Sequence, residues 1–204
     1  MNDWKRKIGL FLSSQSISLF GSSIVQYAIM WHITLTTQSG MMMTLFIICG
    51  FIPTFLLSPF AGVWADRYNR KILIMLADSF IAIATFVLAI LYLAGFQYIW
   101  LLFVIAAIRA FGTAVQTPAV GAILPQIVPE DKLMRINGVN GSLQAAIMFI
   151  SPMISAALLS VSTLELILFV DIITAIITVL TLSLFKMEKQ QVVSAEHTDH
   201  LADF

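Results

Sequence analysis

The chain has 204 residues, with 11 Lys and Arg balanced by 11 Asp and Glu, so its formal net charge is zero. Hydrophobic residues make up 59% of it and charged residues only 11%, which leaves too little polar surface to cover a soluble domain of this size. The neutral balance gives no footprint for a nucleic-acid partner, and the single cysteine, Cys49, supplies neither a disulfide framework nor a metal pair.

Six apolar runs follow one another, at residues 8–34, 43–64, 72–94, 98–119, 136–161 and 164–185. Each reaches the roughly 20 residues that span the hydrocarbon layer of a bilayer. Irregular backbone cannot face lipid, so length and hydrophobicity together predict helices. Lys5, Arg6 and Lys7 precede the first run, which is too long and too regular a member of the series to be a signal peptide. Arg67, Arg70 and Lys71 lie between the second and third runs, Lys132 and Arg135 between the fourth and fifth, and Lys186 and Lys189 after the sixth. The other gaps, 36–42, 95–97 and 162–163, carry no basic residue. Loops facing the cytoplasm collect Lys and Arg. The expected protein is therefore all-α, a polytopic bundle of six transmembrane helices in the cell membrane with both termini cytoplasmic. Trp4, Trp31, Trp64 and Trp100 fall at run ends, the headgroup level that Trp prefers.

The domain division that follows is a membrane domain over 1–185 and a polar cytoplasmic tail, or the start of a linker, over 186–204. His197 and His200 stand in the tail beside Glu196 and Asp199, where a solvated end is expected rather than a metal site. The loop over 120–135 holds Pro125 and Pro129 and is expected to contain a turn and a short surface helix.

Inside the runs the polar residues form stripes at helical spacing. The first carries Gln15, Ser18, Ser22 and Gln26; the fifth carries Asn137, Asn140, Gln144, Ser151 and Ser155; the sixth carries Asp171, Thr174, Thr178 and Thr181. In the fourth, Arg109, Gly112, Thr113 and Gln116 gather on one side. Small and hydroxyl side chains bind helices together, whereas the long amides Gln15, Gln26 and Gln116 suit a wet cavity. Arg109 falls near the bilayer midplane, where an ionised residue costs about 2.5–3.5 kcal/mol on insertion scales. An ion there is a functional candidate by default. Asp78, in the third run, is expected to pair with Arg109 or with the nearby loop bases. Asp171, with no base in any loop at its end, is a candidate proton carrier or a neutral partner of a neighbouring hydroxyl. His32, beside Trp31, reads as an interfacial residue. Pro53, Pro59 and Pro152 interrupt helices, which bends them. No cofactor site is legible, and no nucleophile, base and orienter come together, so no enzyme is expected.

The segment GVWADRYNRK at 62–71 resembles the signature loop of the major facilitator superfamily: Gly62, Asp66, then Arg67, Arg70 and Lys71 around a tight turn. Asn69 stands where the turn glycine is usual, and it tolerates the left-handed conformation such a turn needs. Arg109 and Gly112 are similar to that family's second motif. RAFGTAVQTPA at 109–119 and IVPEDKL at 127–133 resemble the drug-efflux branch that contains macrolide exporters. SPMISA at 151–156 keeps small residues where related antiporters have glycines around the proline.

The resemblance implies half of a twelve-helix facilitator fold, moving a drug-like or macrolide-like small molecule outward by alternating access, driven by a proton or another coupling ion. It implies that Gly62, Asp66, Arg67, Asn69, Arg70 and Lys71 form a gating latch. Arg109, Gly112, Gln116, Asp171, Asp78, Gln15, Gln26 and Gln144 would then couple or line the cavity. The second half would come from a homodimer of parallel copies or from a separate C-terminal half. A truncated half, or a membrane subunit that does not itself transport, is the alternative.

Overall fold

The computed structural model describes residues 3–184 as six helices: α1 (Asp3–Thr37), α2 (Gly40–Arg67), α3 (Arg70–Leu93), α4 (Ile99–Ile127), α5 (Glu130–Val161) and α6 (Leu164–Leu184). The tail over 186–204, with Lys186, Lys189, His197 and His200, lies outside the described residues. Each of the six helices is long and apolar enough to cross a membrane.

Local chemistry sets the helix ends. α1 gives way to α2 through Gln38, which takes the left-handed region at φ 50°. Ser39 then caps α2, its hydroxyl accepting from the Met42 N–H at 3.4 Å. Gly95, at φ 90°, turns the chain between α3 and α4, a conformation that glycine enters without steric cost.

Two expectations about loops are corrected. Asn69 is not left-handed: its φ of −64° and ψ of 110° are extended, and it serves as the N-cap of α3. Its side-chain oxygen accepts from the N–H groups of Lys71 at 3.1 Å and Ile72 at 3.4 Å. The reason is the direction of the turn, which needs an acceptor for the free amides of a new helix more than it needs a positive φ. Nor does the stretch 120–135 hold a separate surface helix. α4 continues to Ile127 through Pro118 and Pro125, and only Val128 and Pro129 separate it from α5. Pro129 precedes the first turn of α5, where Glu130 and Asp131 face the positive end of the helix dipole.

α2 packs on α4, α1 on α5 and α6, and α3 on both α4 and α6. Two apolar clusters show how the helices alternate. One gathers Ile8 and Phe11 from the start of α1, Ala65 from the end of α2, Ile74 from the start of α3, Ile123 from the end of α4 and Leu182 from the end of α6. The other gathers Ile29, Phe46, Leu88, Leu102 and Leu168 from the opposite halves of the same helices. The helices therefore run up and down, and the basic segments at 5–7, 67–71 and 132–135 lie at the first cluster's end, called here the basic face. Leu76, Ile83, Trp100, Val104, Ile176 and Leu180 are exposed on the outside, as a hydrocarbon solvent allows and water does not. Between the two clusters lies a polar band.

Candidate functional site

Two levels make up that band, and both are built from α1, α3 and α4. At the first, Arg109 of α4 forms an ion pair with Asp171 of α6, the two residues being 5% and 2% exposed. The Arg109 Nη1 group donates to Asp171 Oδ2 and to the Thr85 hydroxyl of α3. Its Nη2 donates to the Ser22 carbonyl at 3.1 Å and the Ser22 hydroxyl at 3.3 Å. Asp171 in turn accepts from Ser22 Oγ at 2.7 Å and from Thr85 Oγ1 at 2.9 Å. Four helices thus meet on one guanidinium–carboxylate pair, and every bond to it is charge-assisted.

The second level holds Asp78 of α3, 3% exposed. Its Oδ1 accepts from Ser18 Oγ of α1 at 2.6 Å and from Gln116 Nε2 of α4 at 2.7 Å. Among the described residues its Oδ2 has no partner, and neither has the buried Nε2 of Gln15 one turn away from Ser18 on α1. Asp78 to Thr85 on α3 and Arg109 to Gln116 on α4 are both seven-residue steps, roughly 10 Å along a helix. The Asp78 level therefore lies toward the basic face.

This pairing differs from the expectation. Arg109 takes Asp171, not Asp78, and Asp171 does have a cationic partner; Asp78 has hydroxyl and amide donors instead. The charges sit on different helices, and only the packing of α6 against α3 decides which acid reaches the guanidinium. Thr85 was not legible as a site residue. Its signal was the seven-residue step from Asp78, which places both on one face of α3.

The other site residues spread outward. Gly112 is a contact position: a Cβ there would come within 2.5 Å of Ile81 Cγ1, so its absence lets α4 close on α3. Gln26 is partly buried, its amide near Gly50 of α2. Gln144 is exposed on α5, as is Asn137, while Ser155 of the same helix donates to the Ile24 carbonyl at 2.6 Å. His32 meets Tyr92 edge-on with ring centres 6.3 Å apart.

At the basic face Gly62 borders open space and Asp66, Arg67 and Asn69 are exposed. Arg70 is the anchor. Its guanidinium donates to the Ala65 carbonyl at 2.9 Å and the Ala122 carbonyl at 2.6 Å, tying the ends of α2 and α4, and reaches Asp66 only at 3.5 Å. Lys71 Nζ donates to the Ser183 carbonyl of α6 at 3.4 Å.

A bundle of six helices long enough to cross a membrane, with a buried ion pair and a basic turn at one face, defines a multi-pass membrane protein. The chain belongs to the Major Facilitator Superfamily, whose description matches residues 8–202. It is 35% identical over 188 residues to macrolide efflux protein A of Streptococcus pyogenes, covering 92% of this chain and 46% of that protein. It is 36% identical over 140 residues to macrolide efflux protein A of Enterococcus faecalis, covering 69% of this chain and 43% of that protein. A staphyloferrin A transporter of Staphylococcus aureus is 29% identical over 131 residues, 64% of this chain and 32% of that protein. The chain spans about half the length of the curated relatives it matches. Membership in this family agrees with the membrane setting of the six long apolar helices.

Proposed function

We propose that the chain is the N-terminal half of a facilitator-type exporter that expels a macrolide-like small molecule from the cell by alternating access, coupled to proton entry. The observation that carries this reading is the Arg109–Asp171 pair, seated among four helices between two apolar clusters. A proton arriving on Asp171 cancels its charge and frees the guanidinium, which then needs other acceptors: substrate groups, water or carbonyls. That change in electrostatic partners is the switch, and the four helices that meet at the pair are what it biases. Identity to the macrolide efflux proteins supports the substrate class.

In this reading residues 1–185 form the membrane domain and 186–204 a cytoplasmic tail, and the basic face is cytoplasmic. Asp66, Arg67, Asn69, Arg70 and Lys71, with Gly62 before them, form the latch of that face. Gln15, Gln26, Asp78, Gly112, Gln116 and Gln144 belong to the transport path or its packing. Asn137 and Gln144 leave α5 with an exposed polar face that is ill suited to lipid, which supports a second six-helix unit, a parallel copy or a separate C-terminal half, packed there.

The test is macrolide accumulation in a susceptible bacterium that expresses the chain alone or fused to the unmatched half of the Streptococcus pyogenes relative. Lowered accumulation, restored by a protonophore and by Arg109→Ala, is the expected result. Unchanged accumulation in a fusion shown to insert in the membrane would overturn the reading, as would full efflux by the Arg109→Ala fusion.

A further inference from the structure

Asp78 is a buried acid that the ion pair does not use. Its two oxygens are not equivalent. Oδ1 receives two donors, Ser18 Oγ and Gln116 Nε2, while the buried Oδ2 receives none among the described residues. A carboxylate shares its charge over both oxygens, and burying one of them without a protein partner carries a desolvation cost. A neutral carboxylic acid is asymmetric by nature: a carbonyl oxygen that accepts, and a hydroxyl oxygen that carries a hydrogen.

We propose that Asp78 is a second proton-binding site of the bundle, distinct from Asp171, with its proton on Oδ2 and its carbonyl oxygen at Oδ1.

The surroundings agree. α1 contributes Ser18 and α4 contributes Gln116, neither of them titratable. α6 contributes Asp171, which is paired with Arg109 of α4. α2 bears its charges, Asp66 and Arg67, in its last turn, beside the start of α3 and roughly 12 Å along that helix from Asp78. One guanidinium thus faces two acids, and a proton on Asp78 leaves the buried set neutral. A sodium ion fits less well, because the two neighbours point hydrogens, not lone pairs, at Oδ1.

Dissociation releases the Oδ2 proton to water at the basic face and leaves a carboxylate held by Ser18 and Gln116. The chemical assignment rests on geometry alone; its use as a stop for protons between Asp171 and the basic face rests on the transport reading above.

The test is infrared spectroscopy of the purified chain in lipid vesicles at neutral pH, watching the C=O stretch of a protonated carboxyl that shifts in deuterium oxide. The expected band disappears in Asp78→Asn and persists in Asp171→Asn. If Asp78→Asn does not insert, Ser18→Ala and Gln116→Leu each remove one donor to Oδ1 and should move the band to higher wavenumber. Absence of the band in the wild type, its persistence in Asp78→Asn, or its indifference to both donor variants overturns the proposal. So does its loss on adding sodium at constant pH, which would assign a metal ion. A band assigned to Asp78 beside a fusion that exports nothing would leave the proton site standing and remove the transport reading.

Discussion

The Arg109 level and the Asp78 level occupy the same faces of the same helices, one seven-residue step apart on α3 and on α4, yet they solve the burial of charge in opposite ways. At the first, a guanidinium and a carboxylate neutralise each other and Ser22 and Thr85 fill their remaining bonds. At the second, an acid has amide and hydroxyl donors and, among the described residues, no cation in bonding range. In hydrocarbon a charge must be either compensated or removed, and these two levels show both outcomes side by side. The difference predicts that the first is intolerant of any change in charge and the second tolerant of an uncharged isostere.

The strongest way to break that contrast is to remove one member of the pair. Arg109→Leu or Asp171→Asn leaves an uncompensated buried charge and should cost about 3–5 kcal/mol of stability, with loss of efflux in the fusion. Asp78→Asn keeps the acceptor at Oδ1 and puts an amide where the hydroxyl stood, so its cost should stay below about 1 kcal/mol. Thermal unfolding in one detergent, with the three variants side by side, measures both. Arg109→Leu combined with Asp171→Leu should recover much of the stability but none of the efflux. Equal losses in Asp78→Asn and Asp171→Asn would erase the distinction.

The basic face offers a second contrast, between Arg70 and Asp66. Both belong to the signature turn, but the exposed Asp66 is 3.5 Å from a guanidinium whose firm bonds go to the carbonyls of Ala65 and Ala122. Arg70→Ala should cost about 1.5–3 kcal/mol, the range for hydrogen bonds to a charged group. Asp66→Ala should cost less than about 1 kcal/mol, as exposed pairs do. Arg70→Lys cannot reach both carbonyls with a planar fork, so it should resemble Arg70→Ala in unfolding temperature.

What could be read before the structure, and what could not, divides along the same physical line. The six helices, their order and the common end of the basic loops follow from hydropathy and charge, which are properties of each segment alone. Arg109 stands out for the same reason. Its partner does not, because which of two acids meets it depends on how α6 packs against α3. Asn69 was legible as a turn residue but not as a cap, since the side chain serves either role and the backbone angle decides. Pro125 and Pro129 suggest a loop over 120–135, yet Pro125 lies within α4 and Pro129 stands at the start of α5.

Gly112 and Gly62 were grouped with the site by motif, and the structure separates them. A Cβ on Gly112 overlaps Ile81, whereas one on Gly62 meets nothing within 4 Å. Gly112→Val should therefore cost about 1–3 kcal/mol through overpacking between α3 and α4. Gly62→Ala should leave stability within about 0.5 kcal/mol, as at other open surface positions. The Gly112 loss should appear equally with and without substrate, which marks packing rather than ligand contact.

The smallest expected effect tests the cap. Asn69 holds the Lys71 and Ile72 amides from an extended backbone, so its value lies in its side-chain oxygen. Asn69→Ala should cost about 0.5–2 kcal/mol, Asn69→Gly only a few tenths, and Asn69→Asp or Asn69→Ser should restore the wild-type unfolding temperature. A left-handed turn would order these variants differently: glycine would be the best of them, and serine would do no better than alanine, because neither gains from a positive φ. The rank of serine against glycine in one unfolding series thus separates the cap that the backbone angles indicate from the left-handed turn that the motif suggests.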